Sequence, residues 1–276
     1  MCRILFIFSK TNINTNKIKN MLWGESHAFF KQCYKMPFLP FDEDNDHNPP
    51  INLDGFGIGF LNKNKFESYT NIIPAWNDKN FKLILNLIES PFFLAHIRAT
   101  CRLNTLKQRF TPVHCYNCHP FLYENTMFCC NGIIQSFSDG VLKKKWICDI
   151  DDKLLVEIKG TTDSEYLFYL LLSYMKSRDT ILAIEDALKF LNSLDEKLVI
   201  CINFVLIQDK MPYIVRYMNK KNQKPPSLYL KQDILSNEFI VSSEPLNNES
   251  KIDEWKLIEK NTVTYINNNN LKTIKL

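Results

Sequence analysis

The sequence predicts an α+β fold in which sheets and helices form separate layers. Short apolar segments recur along the chain, and their length and β-branched or aromatic content are typical of strands. Two helical patterns, 164–176 and 180–194, stand next to each other in the middle of the chain. Strands that alternated singly with helices would predict βαβ units, so this grouping favours a layered α+β domain.

The first predicted strand is the apolar run RILFIF (3–8), which suits a strand buried on both faces. The segment INLDGFGIGF (51–60) alternates large apolar residues with glycines, which predicts a strand with close backbone approach. A phosphate-binding loop is not favoured here, because the spacing is neither GxGxxG nor a P-loop. The remaining predicted strands are FFLAHIRA (92–99), TMFCCNGII (126–134), LVICINFVLIQ (198–208), PYIVRY (212–217) and the later SLYL, EFIVSSE and TVTYIN.

The first helical pattern carries a clear start signal. Thr162 and Asp163 stand where a cap is expected, and Glu165 follows in the first turn. Before the glycine-rich strand, DEDNDHNPP (42–50) predicts an acidic loop that ends in prolines.

Composition narrows the class of protein. A chain of 276 residues, 45% of them hydrophobic, can bury a large core. Its net charge of +4 is modest and the charges are interspersed, so no nucleic-acid partner is expected. No apolar stretch reaches the roughly 18 residues of a membrane span, and no signal peptide is evident. Nine cysteines without even spacing favour a reduced, cytoplasmic compartment.

Cys2 raises the first question about chemistry. Removal of Met1 is expected when the second residue is small, and it would leave a thiol and a free α-amine on one residue. An α-amine titrates at about 7.7–8.0, so it can act as the base for its own thiol. The alternative is that Cys2 is an ordinary chain terminus.

The segment HCYNCH (114–119) is the second candidate site, because thiolates and imidazoles at this spacing can bind zinc. A structural zinc site needs a second well-spaced ligand pair, and the adjacent Cys129 and Cys130 do not form one. The prediction is therefore that no metal binds, with zinc as the alternative. A papain-like pair of Cys118 with His96 or His119 is also possible but nothing in the sequence favours it.

Taken in order, the blocks MCR, NLDGFGIGF, AHIRAT, NCHPF, CNGII and TTDSE resemble the class II glutamine amidotransferases of the N-terminal nucleophile hydrolase superfamily. The resemblance implies a four-layer αββα sandwich. It also implies one glutamine amidotransferase domain over residues 2–276, with the core motifs in 2–165 and strands of 198–276 completing the sheets. The sequence of this domain implies no cofactor.

Arg3, where many members of the class have glycine, together with DGFG and IIPAWND (72–78), resembles the Dug-type branch. That branch is linked to cytoplasmic glutathione degradation and works with a peptidase-like partner subunit. The resemblance therefore implies a small γ-glutamyl substrate and a protein partner, with no role for nucleic acid or membranes.

The resemblance also assigns roles to individual residues. It implies that Cys2 is the nucleophile and that its amine is the base. Asn131 and Gly132 match the oxyanion hole, a side-chain amide and a backbone N–H directed at the developing charge. Arg98 matches the group that binds the substrate α-carboxylate, and Asp163 matches the group that binds its α-ammonium. In isolation, Arg98 would be read as a surface ion pair and Asp163 as a helix cap.

Two departures from the family stand out. Cys130 replaces a histidine that usually precedes the Asn-Gly pair, and a basic stretch (103–112) is inserted near the expected pocket. The leading hypothesis is an amidohydrolase that cleaves a γ-glutamyl amide (glutamine, glutathione or a γ-glutamyl peptide) through a Cys2 thioester. The alternatives are a glutaminase subunit that supplies ammonia to a separate synthase, and an inactive binding scaffold with the same fold.

Overall fold

The computed structural model contains two antiparallel sheets stacked face to face, with helices on the outer side of each. This confirms the αββα sandwich. The structure describes residues 1–34, 52–100, 112–135, 137, 140–233, 237–247, 253–267 and 270–276. The predicted acidic loop (42–50) and nearly all of the basic stretch (103–112) lie outside these residues. In the described part of the chain, no helix has the length and apolar character needed to cross a membrane.

The strands, in chain order, are β1 (Arg3–Phe8), β2 (Phe56–Asn62), β3 (Lys65–Asn71), β4 (Phe92–Ile97), β5 (Phe121–Tyr123), β6 (Thr126–Ile134), β7 (Ile200–Gln208), β8 (Met211–Met218), β9 (Tyr229–Asp233), β10 (Glu238–Ser242), β11 (Lys256–Leu257), β12 (Thr262–Asn267) and β13 (Asn270–Lys275). The first sheet has the order β11-β9-β10-β1-β4-β2-β3, and the second has the order β13-β12-β8-β7-β6-β5. Neighbouring strands pair antiparallel in both sheets.

The helices are α1 (Thr15–Lys19), α2 (Lys79–Leu85), α3 (Gly140–Ile147), α4 (Asp152–Leu155), α5 (Asp163–Met175) and α6 (Thr180–Leu194). The two longest, α5 and α6, are the pair that the sequence predicts. As predicted, α5 begins with a capped turn: the Thr162 side-chain oxygen accepts a hydrogen bond from the Glu165 N–H at 3.2 Å.

Strand β1 is buried on both faces, as its continuous apolar sequence predicts. Leu5 and Ile7 pack into the core between the first sheet and its helices. Ile4 and Phe6 face the other way and pack against residues of the second sheet. Because successive side chains alternate along a strand, each residue of β1 belongs to one of two different cores.

The glycines of β2 allow close backbone approach, as the sequence predicts. A Cβ atom on Gly57 would lie 2.1 Å from the His119 carbonyl oxygen, a distance that no side chain tolerates. The absence of a side chain therefore lets the segment before β5 pack directly on β2. This contact brings the HCYNCH segment against the first sheet.

Candidate active site

Cys2 immediately precedes β1 and points into the space between the two sheets. Ile4 and Phe6 face the second sheet, and strand alternation places Cys2 on the same side. The Cys2 Sγ atom accepts a hydrogen bond from the Ala99 N–H at 3.4 Å, and it lies 3.6 Å from the Ala99 carbonyl oxygen. The half-buried thiol thus lies against the chain segment that leaves β4.

Arg98 follows β4 and lies beside Cys2. In the β1–β4 register Arg3 is opposite Ile97, so the next antiparallel pair is Cys2 with Arg98. The Arg98 side chain is 4% exposed, and it donates hydrogen bonds to the backbone oxygens of Asp54 (3.4 Å) and Pro112 (3.1 Å).

Arg98 is not a surface ion pair, the alternative left open by the sequence. None of the ion pairs found among the described residues includes it. A buried guanidinium is stabilised by an anionic partner, and its planar fork suits a carboxylate. The position of Arg98 therefore suits the binding of an anionic ligand group.

The Asp-Gly turn before β2 fixes the segment that carries Arg98. The Asp54 carboxylate accepts hydrogen bonds from the Thr100 N–H (2.7 Å) and the Thr100 hydroxyl (2.9 Å). The Arg98 N–H donates to the Gly55 carbonyl oxygen at 2.8 Å. The resemblance assigns no role to Asp54 or Thr100. The signal that could have found them is the Asp-Gly pair at the start of a glycine-rich strand.

Asn131 lies on β6 and faces the same inter-sheet space. Met127 and Cys129 belong to the core between the sheets, so alternation along β6 places Asn131 on that side. Its side chain is 1% exposed, and neither its amide nitrogen nor its amide oxygen has a hydrogen-bond partner among the described residues. An unpaired buried amide costs about 1–3 kcal/mol. A ligand that accepts a hydrogen bond from Asn131 would recover that energy.

Glycine is the only residue type that fits at position 132, which follows Asn131 on β6. Its φ of +153° is rarely adopted by residues with a side chain. A Cβ atom there would lie 2.1 Å from the Cys201 carbonyl oxygen and 2.6 Å from the Ile202 Cα atom. The backbone conformation at position 132 of β6 therefore requires glycine.

Asp163 begins α5 and connects that helix to the end of β6. One carboxylate oxygen accepts a hydrogen bond from the Ile134 N–H at 2.7 Å, and the other accepts from the Ser164 N–H at 2.8 Å. The cap itself is Thr162, so Asp163 is not needed for that purpose. Burial raises the pKa of Asp163, and these hydrogen bonds oppose the rise. A cation at this carboxylate would stabilise its ionised form.

Two buried thiols show that these groups share one neighbourhood. Burial raises the pKa of Cys118 to about 11, the Arg98 charge opposes this, and Cys2 and Asp54 add to it. Burial also raises the pKa of Cys130 well above its ordinary value, with further contributions from Asp163 and Cys2. Cys2 therefore acts electrostatically on two buried thiols, one of which also interacts with Arg98 and the other with Asp163.

The structure separates the residues of HCYNCH. Cys115 is exposed, whereas Cys118 is buried and donates to the carbonyl oxygens of Asn71 and His114, both at 3.6 Å. In the part of the chain that the structure describes, no group of three His, Cys, Asp or Glu side chains could hold a metal ion. The raised pKa of Cys118 also disfavours a thiolate, so the papain-like pair has no support in this geometry.

His96 and His119 form a buried pair whose ring centroids are 4.1 Å apart. The His96 Nε2 atom lies 3.1 Å from the Cys130 carbonyl oxygen, to which it donates when the ring is neutral. Burial lowers the pKa of His96 to about 3, and the Arg98 charge adds to this. Burial, together with the charges of His96 and Arg98, lowers the pKa of His119 well below its ordinary value. Both imidazoles are therefore neutral at physiological pH.

A buried ion-pair network lies behind Cys2, on the opposite face of β1. The Arg3 Nη2 atom is 3.2 Å from the Glu244 Oε1 atom, and the His27 Nε2 atom is 2.8 Å from the Glu244 Oε2 atom. Arg3 also donates through Nη1 to the Cys2 carbonyl oxygen at 3.0 Å and through Nε to the Gln32 carbonyl oxygen at 3.3 Å. The network holds the backbone of Cys2 from the side opposite its thiol.

The chain is similar in sequence to a known protein and in fold to solved structures. No protein-family model matches the chain. The probable glutamine amidotransferase DUG3 of Saccharomyces cerevisiae is 26% identical over 312 aligned positions, which cover 96% of this chain and 82% of that protein.

Two solved structures share the fold. A glutamine aminotransferase class-II domain protein from Silicibacter pomeroyi gives a TM-score of 0.68 at 20% identity, over 99% of both chains. The glutamine phosphoribosylpyrophosphate amidotransferase of B. subtilis gives a TM-score of 0.62 at 14% identity, over 99% of this chain and 49% of that one.

The chain therefore shares the fold of these two structures. Its sequence is similar over nearly its whole length to DUG3, which agrees with the resemblance to the Dug-type branch of the class II glutamine amidotransferases.

The buried histidine pair predicts loss of stability in acid. In the unfolded chain a histidine titrates at about 6.5, whereas the pKa of His96 in the fold is about 3 and that of His119 is also lowered. Below about pH 6.5 the unfolded chain therefore binds protons that the folded chain does not. The free energy of unfolding should fall by about 1 kcal/mol per buried histidine between pH 6 and pH 5.

His119→Phe tests this by urea unfolding at both pH values. The substitution keeps a ring beside Phe121 and removes one titrating group, so the loss between the two pH values should shrink by about 1 kcal/mol. His114→Asn is the control, since His114 is exposed and an asparagine can still cap the following turn. The same loss in His119→Phe as in the unaltered protein would contradict the prediction.

Proposed function

We propose that the chain, after removal of Met1, hydrolyses a γ-glutamyl amide through a thioester on Cys2. The observation that carries the proposal is that the Cys2 thiol shares the inter-sheet space with the Asn131 carboxamide. That carboxamide is buried, and it has no partner among the described residues. A thiol nucleophile and a preorganised amide donor are the two parts that thioester formation needs.

The charged groups on either side fit the rest of a γ-glutamyl group. That group carries one α-carboxylate and one α-ammonium. The buried Arg98 guanidinium suits the carboxylate through two parallel hydrogen bonds. The Asp163 carboxylate suits the ammonium, because burial raises its pKa and a neighbouring cation would favour the ionised form. Together they would fix the γ-carbonyl carbon near Cys2.

Acylation follows from this placement. The Cys2 α-amine takes the thiol proton, and Sγ attacks the γ-carbonyl carbon while the C=O electron pair moves onto oxygen. The Asn131 side-chain N–H and the Gly132 backbone N–H donate to that oxyanion. The oxyanion then collapses, the C–N bond breaks, and the leaving amine takes the proton from the α-ammonium. The product of this half-reaction is a thioester on Cys2.

Deacylation uses the same groups in reverse. A water molecule gives its proton to the α-amine and attacks the thioester carbon, which forms a second oxyanion at the same donors. Collapse of this oxyanion breaks the C–S bond. The sulfur regains the proton from the α-ammonium, and glutamate leaves.

The proposal concerns the γ-glutamyl side of the substrate. Glutamine, glutathione and γ-glutamyl dipeptides all present that group and differ in their leaving amine. We further propose that residues 2–276 act as one amidotransferase domain in the cytoplasm, with a peptidase-like or synthase partner subunit. The nine cysteines without even spacing favour a reducing compartment.

The main experiment tests the free terminus at Cys2. A protein tagged at its C-terminus should release glutamate from at least one of the three substrate types, and mass spectrometry should show that Met1 is absent. An uncleavable N-terminal extension turns the α-amine into an amide, which cannot accept a proton near neutral pH. The extended protein should therefore fold normally and lose at least 100-fold in kcat, the lower range for loss of a catalytic base.

Two variants sharpen this experiment. Cys2→Ala should be inactive, and Cys2→Ser should be feeble because a hydroxyl ionises far less than a thiol. Cys148→Ala is the matched control, since Cys148 is an exposed thiol remote from β1. Equal glutamate release by the extended and the free proteins would refute the proposed role of Cys2. A retained Met1 without activity would favour the inactive scaffold.

Asn131→Ala tests the oxyanion hole. The variant should lower kcat by about 10²–10³-fold, the cost of one oxyanion donor. The melting temperature should change little, because no hydrogen bond within the described structure is lost. Asn203→Ala is the control: Asn203 lies opposite Asn131 on β7, and its amide donates to the Pro226 carbonyl oxygen at 2.9 Å. Asn203→Ala should lower the melting temperature and leave kcat close to that of the unaltered protein. Normal turnover of Asn131→Ala would exclude the assigned role of Asn131.

The clamp is tested by Arg98→Ala and Asp163→Asn. Each should lower kcat/KM by about 10–100-fold, since a hydrogen bond to a charged group contributes about 1.5–3 kcal/mol. Arg178→Ala and Asp186→Asn, which remove an exposed ion pair, should leave it unchanged.

Altered substrates separate the two roles. On the amide of γ-aminobutyric acid, which lacks the α-carboxylate, Arg98→Ala and the unaltered protein should have similar kcat/KM values. On glutaramate, which lacks the α-ammonium, Asp163→Asn and the unaltered protein should have similar kcat/KM values. The reverse pattern would show that the two side chains do not read these groups.

A further inference from the structure

Two buried side chains converge on the Met1 carbonyl group. The Asn52 Nδ2 atom donates to the Met1 carbonyl oxygen at 2.8 Å, and the Arg3 Nη1 atom lies 3.4 Å from the same oxygen. This carbonyl belongs to the peptide bond that joins Met1 to Cys2. When Met1 is removed, the nitrogen of that bond becomes the α-amine of Cys2. Asn52 and Arg3 are therefore next to the group that acts as the base in the proposed function.

Of these two side chains, only Asn52 can accept a hydrogen bond. A guanidinium has donors alone, whereas a carboxamide carries a donor and an acceptor at equivalent positions. A half-turn of the Asn52 carboxamide would place its oxygen where its nitrogen now contacts the carbonyl. The Asn52 side chain is fully buried, and its Oδ1 atom has no partner among the described residues. The residue can thus donate to Met1 before processing and accept from the amine afterwards.

We propose that Asn52 is a positioning residue for the Cys2 α-amine in the processed enzyme. Its Oδ1 atom accepts one N–H of the amine and so directs the nitrogen lone pair toward the thiol and the leaving group. The inference rests on the proposed function, because only a free amine at Cys2 needs such a partner. It adds to that function the group that fixes the base.

The backbone around Asn52 is held well enough for this task. The Asn52 N–H donates to the Cys33 carbonyl oxygen at 3.2 Å, and the nearby Asp54 is tied to the Arg98–Thr100 segment. Arg3 fixes the other side, because it donates to the Cys2 carbonyl oxygen at 3.0 Å. The amine would therefore lie between two groups that are themselves anchored.

The amine would titrate among several charged or titratable groups. Those placed around the Cys2 terminus are Arg3 on β1, Glu244 after β10, His27 and Cys33 before Asn52, Asp54 and Arg98 on the turn and the end of β4, and the Cys118, Cys129 and Cys130 thiols. Asn52 is neutral, so it can orient the amine without changing this balance. A carboxylate in its place would raise the pKa of the amine.

Asn52→Asp is the first test. A carboxylate beside the amine favours the ammonium, so the pKa of the Cys2 α-amine should rise by about one unit. The pKa is measured directly from the α-amine resonance of protein labelled with ¹⁵N-cysteine, with or without turnover. Asn219→Asp is the matched control, since Asn219 makes its hydrogen bonds to Asn192, Leu198 and Ile200. An α-amine pKa that is the same in Asn52→Asp as in Asn219→Asp would overturn the proposal.

Asn52→Leu is the second test, and it keeps the proposal testable if the aspartate variant does not fold. Leucine has the same branching at Cγ without a hydrogen-bond acceptor, so kcat should fall by about 10-fold or more while KM stays within about twofold. In Asn52→Asp, the acid limb of the plot of kcat against pH should also shift to higher pH, because the amine pKa is raised. Unchanged kcat in Asn52→Leu would count against the role of Asn52. Inactivity of the unaltered protein, by contrast, would refute the proposed function. The role of Asn52 would then be tested by the α-amine pKa of Asn52→Asp alone.

Discussion

The site depends on the burial of β1 on both faces. This strand pairs with β4 on one side and β10 on the other, and its two sets of side chains belong to two cores. A shift of one residue would exchange the two sets, so the register is strongly specified. The same register determines that Cys2 faces the second sheet and that Arg3 faces the helices. The direction of the thiol is thus a consequence of the packing of Ile4 to Phe8.

Arg3 shows how the opposite face of the strand supports the site. Its guanidinium, Glu244 and His27 form a buried network, which contributes little net stability because desolvation offsets the attraction. Removal of one member would leave an uncompensated buried charge, so the three side chains depend on one another. Its contact with the Cys2 carbonyl oxygen gives it a second consequence, since it holds the residue on which the chemistry is proposed to occur. The arginine at position 3 is therefore explained by its packing in this structure.

The sequence predicts the long, strongly patterned elements and misses the short, polar ones. Strand β6 has the predicted bounds, and α5 and α6 agree to within a residue. Strand β3 is missed because it is an edge strand whose alternating pattern is weakened by polar residues on both faces. The five candidate site residues come from the ordered motifs. Asn52 is missed, because its contact with Met1 spans 51 positions and no local pattern records it.

The arrangement of unpaired polar groups gives the strongest link between the fold and the chemistry. A stable protein pairs its buried donors and acceptors, and each exception costs free energy. Among the described residues, Arg98 has no carboxylate partner and the Asn131 amide has no hydrogen-bond partner, while burial raises the pKa of Asp163. One γ-glutamyl group offers a carboxylate, a carbonyl oxygen and an ammonium, which are the complements of these three side chains. In the proposed function, binding of the substrate would recover the cost that the fold carries in the free protein, and this binding energy would be available where the Cys2 thiol is proposed to attack.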